Sequence, residues 1–197
     1  MSKNKIAIQG ELGAYSHIAA DRLYKNADIK TCATFEETFK QAFNDPSYKI
    51  VIPIENSLAG RVADIHALLP NSKLFITAEY FLPVDICMLG TTSSNLSLIK
   101  TAMSHPVLLG QCKNYLNKNK IKSITGYDTA GSARIVSESN KPYMGAIASK
   151  TAAEIYGLKV ISENIQDNRH NTTRFLVMEK KPKSFIKKQR KVITSIL

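Results

Sequence analysis

Polar and glycine-rich residues cluster at four points where a strand is predicted to turn into a helix. These segments are residues 9–16, 55–60, 104–112 and 128–133. In open α/β sheets, ligands bind beyond the carboxyl ends of strands, where the chain turns into a helix. Backbone N–H groups at a helix N-terminus also favour bound anions. We therefore expect these turns, facing one cleft, to bind a small acid with more than one negative charge.

A fifth polar segment, residues 164–175, precedes the last predicted strand and contains two arginines, two threonines and three asparagines. Arg174 lies among apolar strand residues, where an unpaired charge is costly to bury. An arginine there requires an anionic partner, and its planar guanidinium matches a carboxylate. The segment therefore fits either a polar loop or a further part of an anion site.

Taken one at a time, these residues also fit structural roles. Gly10 and Gly13 lack the third glycine of the dinucleotide-binding fingerprint, and a tight turn is sufficient to explain them. Asn56 and Asp128 suit the N-cap position of a helix. Gln111 suits an exposed position on a helix. A functional interpretation therefore depends on the whole set and not on one motif.

The composition is that of a soluble globular protein. Of the 197 residues, 44% are hydrophobic and 22% are charged, and no apolar run approaches the roughly 20 residues that span a bilayer. Residues 1–8 lack the apolar stretch of a signal peptide, so we expect a cytoplasmic protein without a membrane partner. Because metal-ligand motifs are missing from the sequence, we expect no metal and no cofactor. Cys32, Cys87 and Cys112 are predicted to be buried thiols.

The net charge of +11 is compatible with a nucleic acid or with an anionic small molecule as partner. The lysines are scattered along the chain, and no basic motif is interleaved with aromatic residues. We therefore predict a solvated, lysine-rich surface and no nucleic-acid partner. A positive field would also help to attract a small dianion.

Strand-like and helix-like segments alternate, which predicts an α/β protein with mostly parallel sheets. The length favours two small lobes over one large sheet. One helix is expected to start at Pro106 and to carry Leu109, Cys112 and Leu116 on one face. The predicted strands are residues 6–8, 29–33, 50–54, 74–80, 84–89, 121–125, 143–148, 160–161 and 174–178. The other predicted helices are residues 15–24, 35–43, 62–69, 128–136 and 149–156.

Together, the polar segments resemble the catalytic domain of prephenate dehydratases. The motifs that carry this resemblance are Gly-Glu-Leu-Gly-Ala-Tyr-Ser at 10–16, Pro-Ile-Glu-Asn-Ser-Leu-Ala-Gly at 53–60, Ser-His-Pro-Val-Leu-Leu-Gly-Gln-Cys at 104–112, Asp-Thr-Ala-Gly-Ser-Ala at 128–133 and Asn-Thr-Thr-Arg-Phe at 171–175. They span roughly residues 5–180 in order. The Glu-Asn-Ser and Thr-Arg-Phe signatures are specific in combination.

The resemblance implies a two-lobed fold like that of type II periplasmic binding proteins, with mixed, mostly parallel sheets and a cleft between the lobes. The catalytic domain would comprise residues 1–180. Lobe one would hold about residues 1–80 and 160–180, and lobe two about 81–159. Residues 181–197 would be a basic linker and the start of an incomplete ACT regulatory domain, so we expect no inhibition by phenylalanine through such a domain. A homodimer is also implied.

The implied reaction is the decarboxylative dehydration of prephenate to phenylpyruvate in phenylalanine biosynthesis, a carbon–oxygen lyase reaction without a cofactor. By resemblance, Thr173 faces the leaving hydroxyl, and Asn56 and Gln111 complete the catalytic set. The implied substrate-binding residues are Gly10, Ser16, Glu55, Ser57, Thr129, Ala130, Gly131, Arg174 and Phe175. Arogenate or cyclohexadienyl dehydratase activity, and a non-catalytic relic that binds small anions, remain as alternatives.

Overall fold

Two β-sheets, each flanked by helices, organise the chain in the computed structural model, which describes residues 3–181. Most of the predicted linker, residues 182–197, lies outside this range. The strands are β1 (Lys5–Gln9), β2 (Asp28–Cys32), β3 (Tyr48–Asn56), β4 (Gly60–Arg61), β5 (Phe75–Pro83), β6 (Cys87–Gly90), β7 (Thr101–Ser104), β8 (Lys122–Thr125), β9 (Met144–Ala148), β10 (Lys159–Ser162) and β11 (Thr172–Glu179). The helices are α1 (Tyr15–Leu23), α2 (Phe35–Asn44), α3 (Ala63–Leu68), α4 (Pro106–Gln111), α5 (Lys113–Lys118), α6 (Thr129–Ser139) and α7 (Lys150–Tyr156), with a 3₁₀ turn at Leu69–Asn71.

The first lobe is built on a sheet with the strand order β2-β1-β3-β11-β5, and β4 pairs with the end of β3. Strands β1, β2 and β3 are parallel, whereas β11 is antiparallel to both of its neighbours. Ile50, Val51 and Ile52 of β3 are fully buried, because helix α1 covers one face of the sheet and helices α2 and α3 cover the other. The strand predicted at residues 50–54 is thus observed within β3, and it is buried on both faces of the sheet.

The second lobe repeats this plan in the order β10-β6-β9-β7-β8. Strands β7, β8 and β9 are parallel, and β6 is antiparallel to both β9 and β10. In each sheet, therefore, one strand is reversed and the other four on the main path share a direction. The predicted α/β fold with mixed, mostly parallel sheets in two lobes is confirmed.

The chain passes between the lobes twice, at residues 84–86 and 163–171, and these two connections hydrogen-bond to each other. The N–H of Val84 donates to the carbonyl of Asn171 at 2.9 Å, and the N–H of Ile165 donates to the carbonyl of Ile86 at 3.0 Å. The boundaries predicted near residues 80 and 160 are therefore a few residues early. Strand β5 continues to Pro83 because it pairs with β11, and β10 belongs to the second sheet because it pairs with β6.

Two further predictions about elements are corrected. The single helix expected from Pro106 is two helices that meet at Cys112, whose φ of −118° departs from helical geometry. The Asp167 carboxylate, from the second connection, accepts the N–H of Asn114 at 3.2 Å and so caps helix α5. Strand β7, in the second sheet, was not predicted, because only two of its four residues are apolar. Strand β7 forms because it pairs with β8 on one side and β9 on the other, which its composition does not indicate.

The loop at residues 10–14 of the first lobe docks onto helices α6 and α7 of the second. The carbonyl of Gly13 accepts a hydrogen bond from the Ser149 hydroxyl at 2.6 Å. The Glu11 carboxylate pairs with the Arg134 guanidinium at 2.8 Å, and this hydrogen-bonded guanidinium lowers the pKa of the Glu11 carboxyl. The Tyr156 hydroxyl donates to the carbonyl of Leu12 at 2.9 Å. These contacts tie the lobes together beside the two covalent connections.

The three cysteines are buried and unpaired, as predicted. Burial raises the pKa of the Cys87 thiol to about 11 and that of the Cys112 thiol to about 12, so both are protonated thiols near neutral pH. In the described part of the chain, no helix has the length and apolar composition needed to cross a membrane.

We predict that Gly13→Ala destabilises the protein more than Gly10→Ala. Both glycines have a positive φ, of +90° and +95°, so each alanine costs about 1–3 kcal/mol of backbone strain. A Cβ at Gly13 would also lie 2.8 Å from the Cα of Ala152, whereas a Cβ at Gly10 meets Ala14 at an ordinary 3.7 Å. Overpacking at Gly13 should add about 1–3 kcal/mol. Urea unfolding measures the stability of both variants. Equal losses in the free energy of unfolding would contradict a tight contact between Gly13 and Ala152.

Candidate active site

A cavity of about 640 Å³ lies between the lobes and is lined by both of them. Its volume falls within the range of small-molecule sites in proteins. Strand ends and helix starts supply its polar lining, as expected for an α/β protein. The polar and charged lining residues include Gln9, Ser16, Thr34, Glu36, Asn56, Arg61, Asp64 and Thr173 from the first lobe, and His105, Gln111, Asp128 and Thr129 from the second.

Seven of the twelve predicted site residues line this cavity. They are Gly10, Ser16, Asn56, Gln111, Thr129, Thr173 and Phe175. The three residues of the expected catalytic set, Asn56, Gln111 and Thr173, are among them. The central expectation, that distant motifs gather around one cleft, therefore agrees with the observed geometry.

Five predicted residues do not line the cavity: Glu55, Ser57, Ala130, Gly131 and Arg174. The Ser57 hydroxyl accepts the N–H of Thr172 at 3.0 Å and donates to the carbonyl of His170 at 3.1 Å. Ser57 thus holds the end of β3 against the start of β11. Gly131 is buried in helix α6, where a Cβ would meet the carboxylates of Glu11 and Asp128 at 3.0–3.1 Å. These two residues support the site without facing its cavity.

Arg174 has an anionic partner, as its position requires, but that partner is a protein side chain. Its guanidinium pairs with Glu79 of β5 at 2.7 Å and lies 5.7 Å from the ring centroid of Phe81. Successive side chains of a strand point to opposite faces. Thr173 and Phe175 therefore line the cavity, while Arg174 stabilises the other face of the sheet.

The orientation of the Asn56 side chain follows from its backbone neighbours. Its Oδ1 accepts the N–H groups of Leu58 and Ala59 at 3.0 and 2.9 Å. A backbone N–H can only donate, so the opposite end of the carboxamide must be the NH₂ group. That Nδ2 donates to the Thr173 hydroxyl at 2.9 Å and to Asn171 Oδ1 at 2.8 Å. The turn after β3 therefore determines which atoms Asn56 presents to Thr173.

Asn171 links this group to the second lobe. Because its Oδ1 accepts from Asn56, its Nδ2 is free to donate, and it does so to Gln111 Oε1 at 3.0 Å. The Nε2 of Gln111 in turn donates to Asn56 Oδ1, at a long distance of 3.4 Å. Asn171 is only 2% exposed and lies at the end of the second connection. It belongs to a motif that carries the resemblance but was not among the predicted site residues, because the sequence alone does not show that its side chain is buried between Asn56 and Gln111.

The Thr173 hydroxyl is arranged to donate a hydrogen bond into the cavity. Its oxygen accepts from Asn56, and no residue in the range 3–181 accepts its hydrogen. Thr173 lines the cavity and is only 9% exposed, so little of it reaches bulk solvent. A hydroxyl that accepts a hydrogen bond becomes a stronger donor, because chains of hydrogen bonds polarise one another.

Sequence reasoning missed Arg61, the one permanently cationic side chain among the described lining residues. The predicted segment ended at Gly60, one residue too early. Gly60 has a φ of +80° and allows strand β4 to fold back on β3, where Arg61 pairs with Glu55 in the backbone ladder. No ion pair engages Arg61 within the described residues. The adjoining motif could have drawn attention to it.

We predict that Asn171→Asp destabilises the protein by about 1–3 kcal/mol, because it leaves buried acceptors facing one another. The new carboxylate oxygen would replace the donor to Gln111. Asn168→Asp is the matched control, since the described contact of Asn168 uses only its Oδ1, which accepts the N–H of His170 at 2.9 Å. Urea unfolding of both variants is the measurement. If Asn168→Asp lowers the free energy of unfolding as much as Asn171→Asp does, the proposed hydrogen bonds between Asn171, Asn56 and Gln111 would be contradicted.

Comparison with known proteins supports the sequence resemblance. A family model described as prephenate dehydratase matches residues 6–183. The chain is 43% identical over 181 residues to arogenate dehydratase/prephenate dehydratase 1, chloroplastic, of Arabidopsis thaliana, a match that covers 92% of this chain and 46% of that protein. It is 38% identical over 177 residues to the bifunctional N-acyl-homoserine lactone acylase/prephenate dehydratase of Komagataeibacter europaeus, covering 90% of this chain and 63% of the relative.

The fold is also shared with a solved structure. The prephenate dehydratase of Staphylococcus aureus superposes with a TM-score of 0.79 at 25% sequence identity, over 91% of this chain and 67% of that one. The chain spans about half of the length of the first relative and less than two thirds of the second. Because the family model covers most of the chain and the fold agrees, we conclude that this chain belongs to the prephenate dehydratase family.

Proposed function

We propose that this chain catalyses the decarboxylative dehydration of prephenate to phenylpyruvate, and that it acts as a carbon–oxygen lyase in phenylalanine biosynthesis. The observation that carries the proposal is the Thr173 hydroxyl, which lies in the cavity between the lobes and accepts a hydrogen bond from Asn56. The homodimer, the cytoplasmic location and the absence of a cofactor that the sequence resemblance implies are part of the same proposal.

The reaction requires little covalent chemistry from the protein. The bond between the ring and its carboxylate breaks, carbon dioxide leaves, and the released electron pair makes the ring aromatic as the ring hydroxyl departs. The prephenate dianion and one proton thus give the phenylpyruvate anion, carbon dioxide and water. The protein has to hold the substrate and to stabilise charge on the departing oxygen.

The Thr173 hydroxyl suits the second task as a hydrogen-bond donor. A threonine hydroxyl is a poor acid near neutral pH, because efficient proton donors have pKa values near the working pH. Its contribution is therefore positioning and electrostatic stabilisation of the leaving group. Asn56 keeps the Thr173 oxygen occupied as an acceptor. Gln111, whose NH₂ group makes only a long contact, supplies a further donor from the second lobe.

Arg61 takes the role of carboxylate partner that the sequence suggested for Arg174. Arg174 is already neutralised by Glu79 on the other face of β11. Arg61 lines the cavity on β4, next to the turn that orients Asn56. A guanidinium in a partly enclosed site binds a carboxylate through two parallel hydrogen bonds. The proposed site thus combines one cationic anchor with donors that face the leaving hydroxyl.

Arogenate is the alternative substrate, and both prephenate and arogenate occur in the names of relatives. Arogenate carries an ammonium group where prephenate carries a keto oxygen, so it would require a carboxylate in the cavity. Glu36, Asp64 and Asp128 line the cavity. Parallel assays with the two substrates separate these activities. Failure to turn over either one would favour a non-catalytic module that binds small anions.

We predict that Thr173→Ser keeps most of the turnover of prephenate, whereas Thr173→Val lowers kcat by about 10²–10³, the effect of removing one donor to a developing charge. Valine keeps the shape of threonine but has no hydroxyl. Thr172→Val is the matched control, because the neighbouring side chain is not part of the cavity lining. Phenylpyruvate is measured by its absorbance in alkali. Near-normal kcat in the Thr173→Val variant would reject the proposed role of the hydroxyl.

We predict that Arg61→Gln raises the KM for prephenate at least tenfold, since a hydrogen-bonded charge pair contributes about 1.5–3 kcal/mol. Arg174→Gln should instead lower stability through loss of its pair with Glu79, with a smaller change in KM. Steady-state kinetics and urea unfolding of the two variants make the comparison. The opposite pattern, in which only Arg174→Gln raises the KM, would show that Arg174 and not Arg61 binds the substrate carboxylate.

A further inference from the structure

His105 lines the cavity but was not among the predicted site residues. It precedes Pro106 at the start of helix α4 and lines the cavity from the second lobe. Its Nδ1 accepts the N–H of Val107 at 3.3 Å, so the imidazole caps the helix. The ring is partly buried, and no other hydrogen bond engages it within residues 3–181.

This contact determines which nitrogen of the neutral ring carries the hydrogen. A backbone N–H can only donate, so Nδ1 must be the unprotonated acceptor, and the hydrogen of the neutral imidazole lies on Nε2. His105 therefore presents one N–H donor, rigidly attached to the opposite side of the ring from its cap. Because the cap uses Nδ1, the Nε2–H is available to a ligand.

The backbone around His105 is held in place on both sides. The Ser104 hydroxyl donates to the carbonyl of Ile147 at 2.6 Å and is fully buried. Pro106 restricts φ at the next position, and the residue before a proline favours an extended conformation. His105 has this conformation, with φ −60° and ψ 141°. A ring anchored in this way loses little freedom when it binds a ligand.

The cavity around His105 is largely apolar, so a bound carboxylate there would need a hydrogen-bond donor. Val107 and Leu108 continue the lining as apolar side chains, and Val84 of the first connection also lines the cavity. A carboxylate that entered this part of the site would lose water and would need a replacement donor. Arg61 belongs to the first lobe, and the second lobe contributes no lysine or arginine to the described cavity lining.

We propose that His105 is a substrate-binding residue whose Nε2–H donates to a carboxylate of the substrate from the second lobe. The inference rests on the proposed function and deepens it. Arg61 binds from the first lobe and His105 from the second, so a substrate with two carboxylates connects the lobes. His105 acts as a hydrogen-bond donor through Nε2, and its contribution is to binding.

Two substitutions separate the two nitrogens of the ring. His105→Asn places a side-chain oxygen near the position of Nδ1 and keeps the cap, but it has no group at the position of Nε2. His105→Gln places its NH₂ group near the position of Nε2, but it is a poorer cap. Steady-state kinetics with prephenate and urea unfolding are measured on the full chain of each variant.

We expect His105→Asn to unfold at the urea concentration of the unchanged protein and to raise the KM for prephenate about tenfold, the effect of about 1.4 kcal/mol. The value of kcat should change less, because His105 contributes to binding and not to the chemical step. We expect His105→Gln to lose stability and to keep a KM within about threefold of the original, because it retains the donor. This reciprocal pattern would not arise from a purely structural role.

An unchanged KM in the His105→Asn variant would overturn the inference, as would a KM raised only in the His105→Gln variant. Nitrogen-15 NMR of the unchanged protein gives an independent check, with the His105 signals assigned by their loss in the His105→Asn variant. A hydrogen on Nδ1 in place of Nε2 would also overturn it. If the unchanged protein does not turn over prephenate, the proposed function fails instead, so the two failures are distinguishable.

Discussion

The site depends on one constraint, the two backbone N–H groups that the turn after β3 donates to the Asn56 side-chain oxygen. They fix which end of the carboxamide faces Thr173. From there the directions of the hydrogen bonds to Thr173, to Asn171 and then to Gln111 follow in turn, since each amide has one end that donates and one that accepts. A turn of a few residues in the first lobe thereby sets the polarity of groups that the second lobe contributes.

The architecture around this network explains why so many short motifs are needed. Each lobe supplies part of the cavity lining, and the loop at residues 10–14 holds the lobes together through Gly13, Glu11 and Leu12. Gly131, one of the expected substrate-binding residues, leaves space for the Glu11 carboxylate. Residues of these motifs therefore either line the cavity or make the contact between the lobes, and the motifs do not distinguish these positions.

The fold was largely predictable because its signals are local. The strand predicted at residues 50–54 and the helix predicted at residues 35–43 are observed as β3 and α2, and the predicted N-cap at Asp128 is observed. The errors arise where a distant residue determines the outcome. Asp167 donates its N–H to the carbonyl of Gln111 at the end of α4, and its carboxylate accepts the N–H of Asn114, 53 positions away, at the start of α5. No local pattern reports these contacts.

The same distinction applies to the site. Asn56, Gln111 and Thr173 were predictable from motifs, whereas the face of β11 that Arg174 occupies depends on Glu79, a partner on β5. Asn171 and Arg61 adjoin predicted residues, yet their roles depend on burial and on the fold-back of β4. Sequence therefore identified the segments that form the cavity, and the pairing of the strands determined which side chains in those segments face it.

The position of β11 between β3 and β5 has a consequence for the order in which the molecule is assembled. Both neighbours are synthesised long before β11, so on the ribosome their facing edges remain without their native partner until nearly all of the described chain has emerged. The first lobe cannot close its sheet earlier, even though the strands of the second lobe are by then complete. Because Thr173 is carried on β11, the proposed catalytic hydroxyl enters the structure in the same late step that completes the fold.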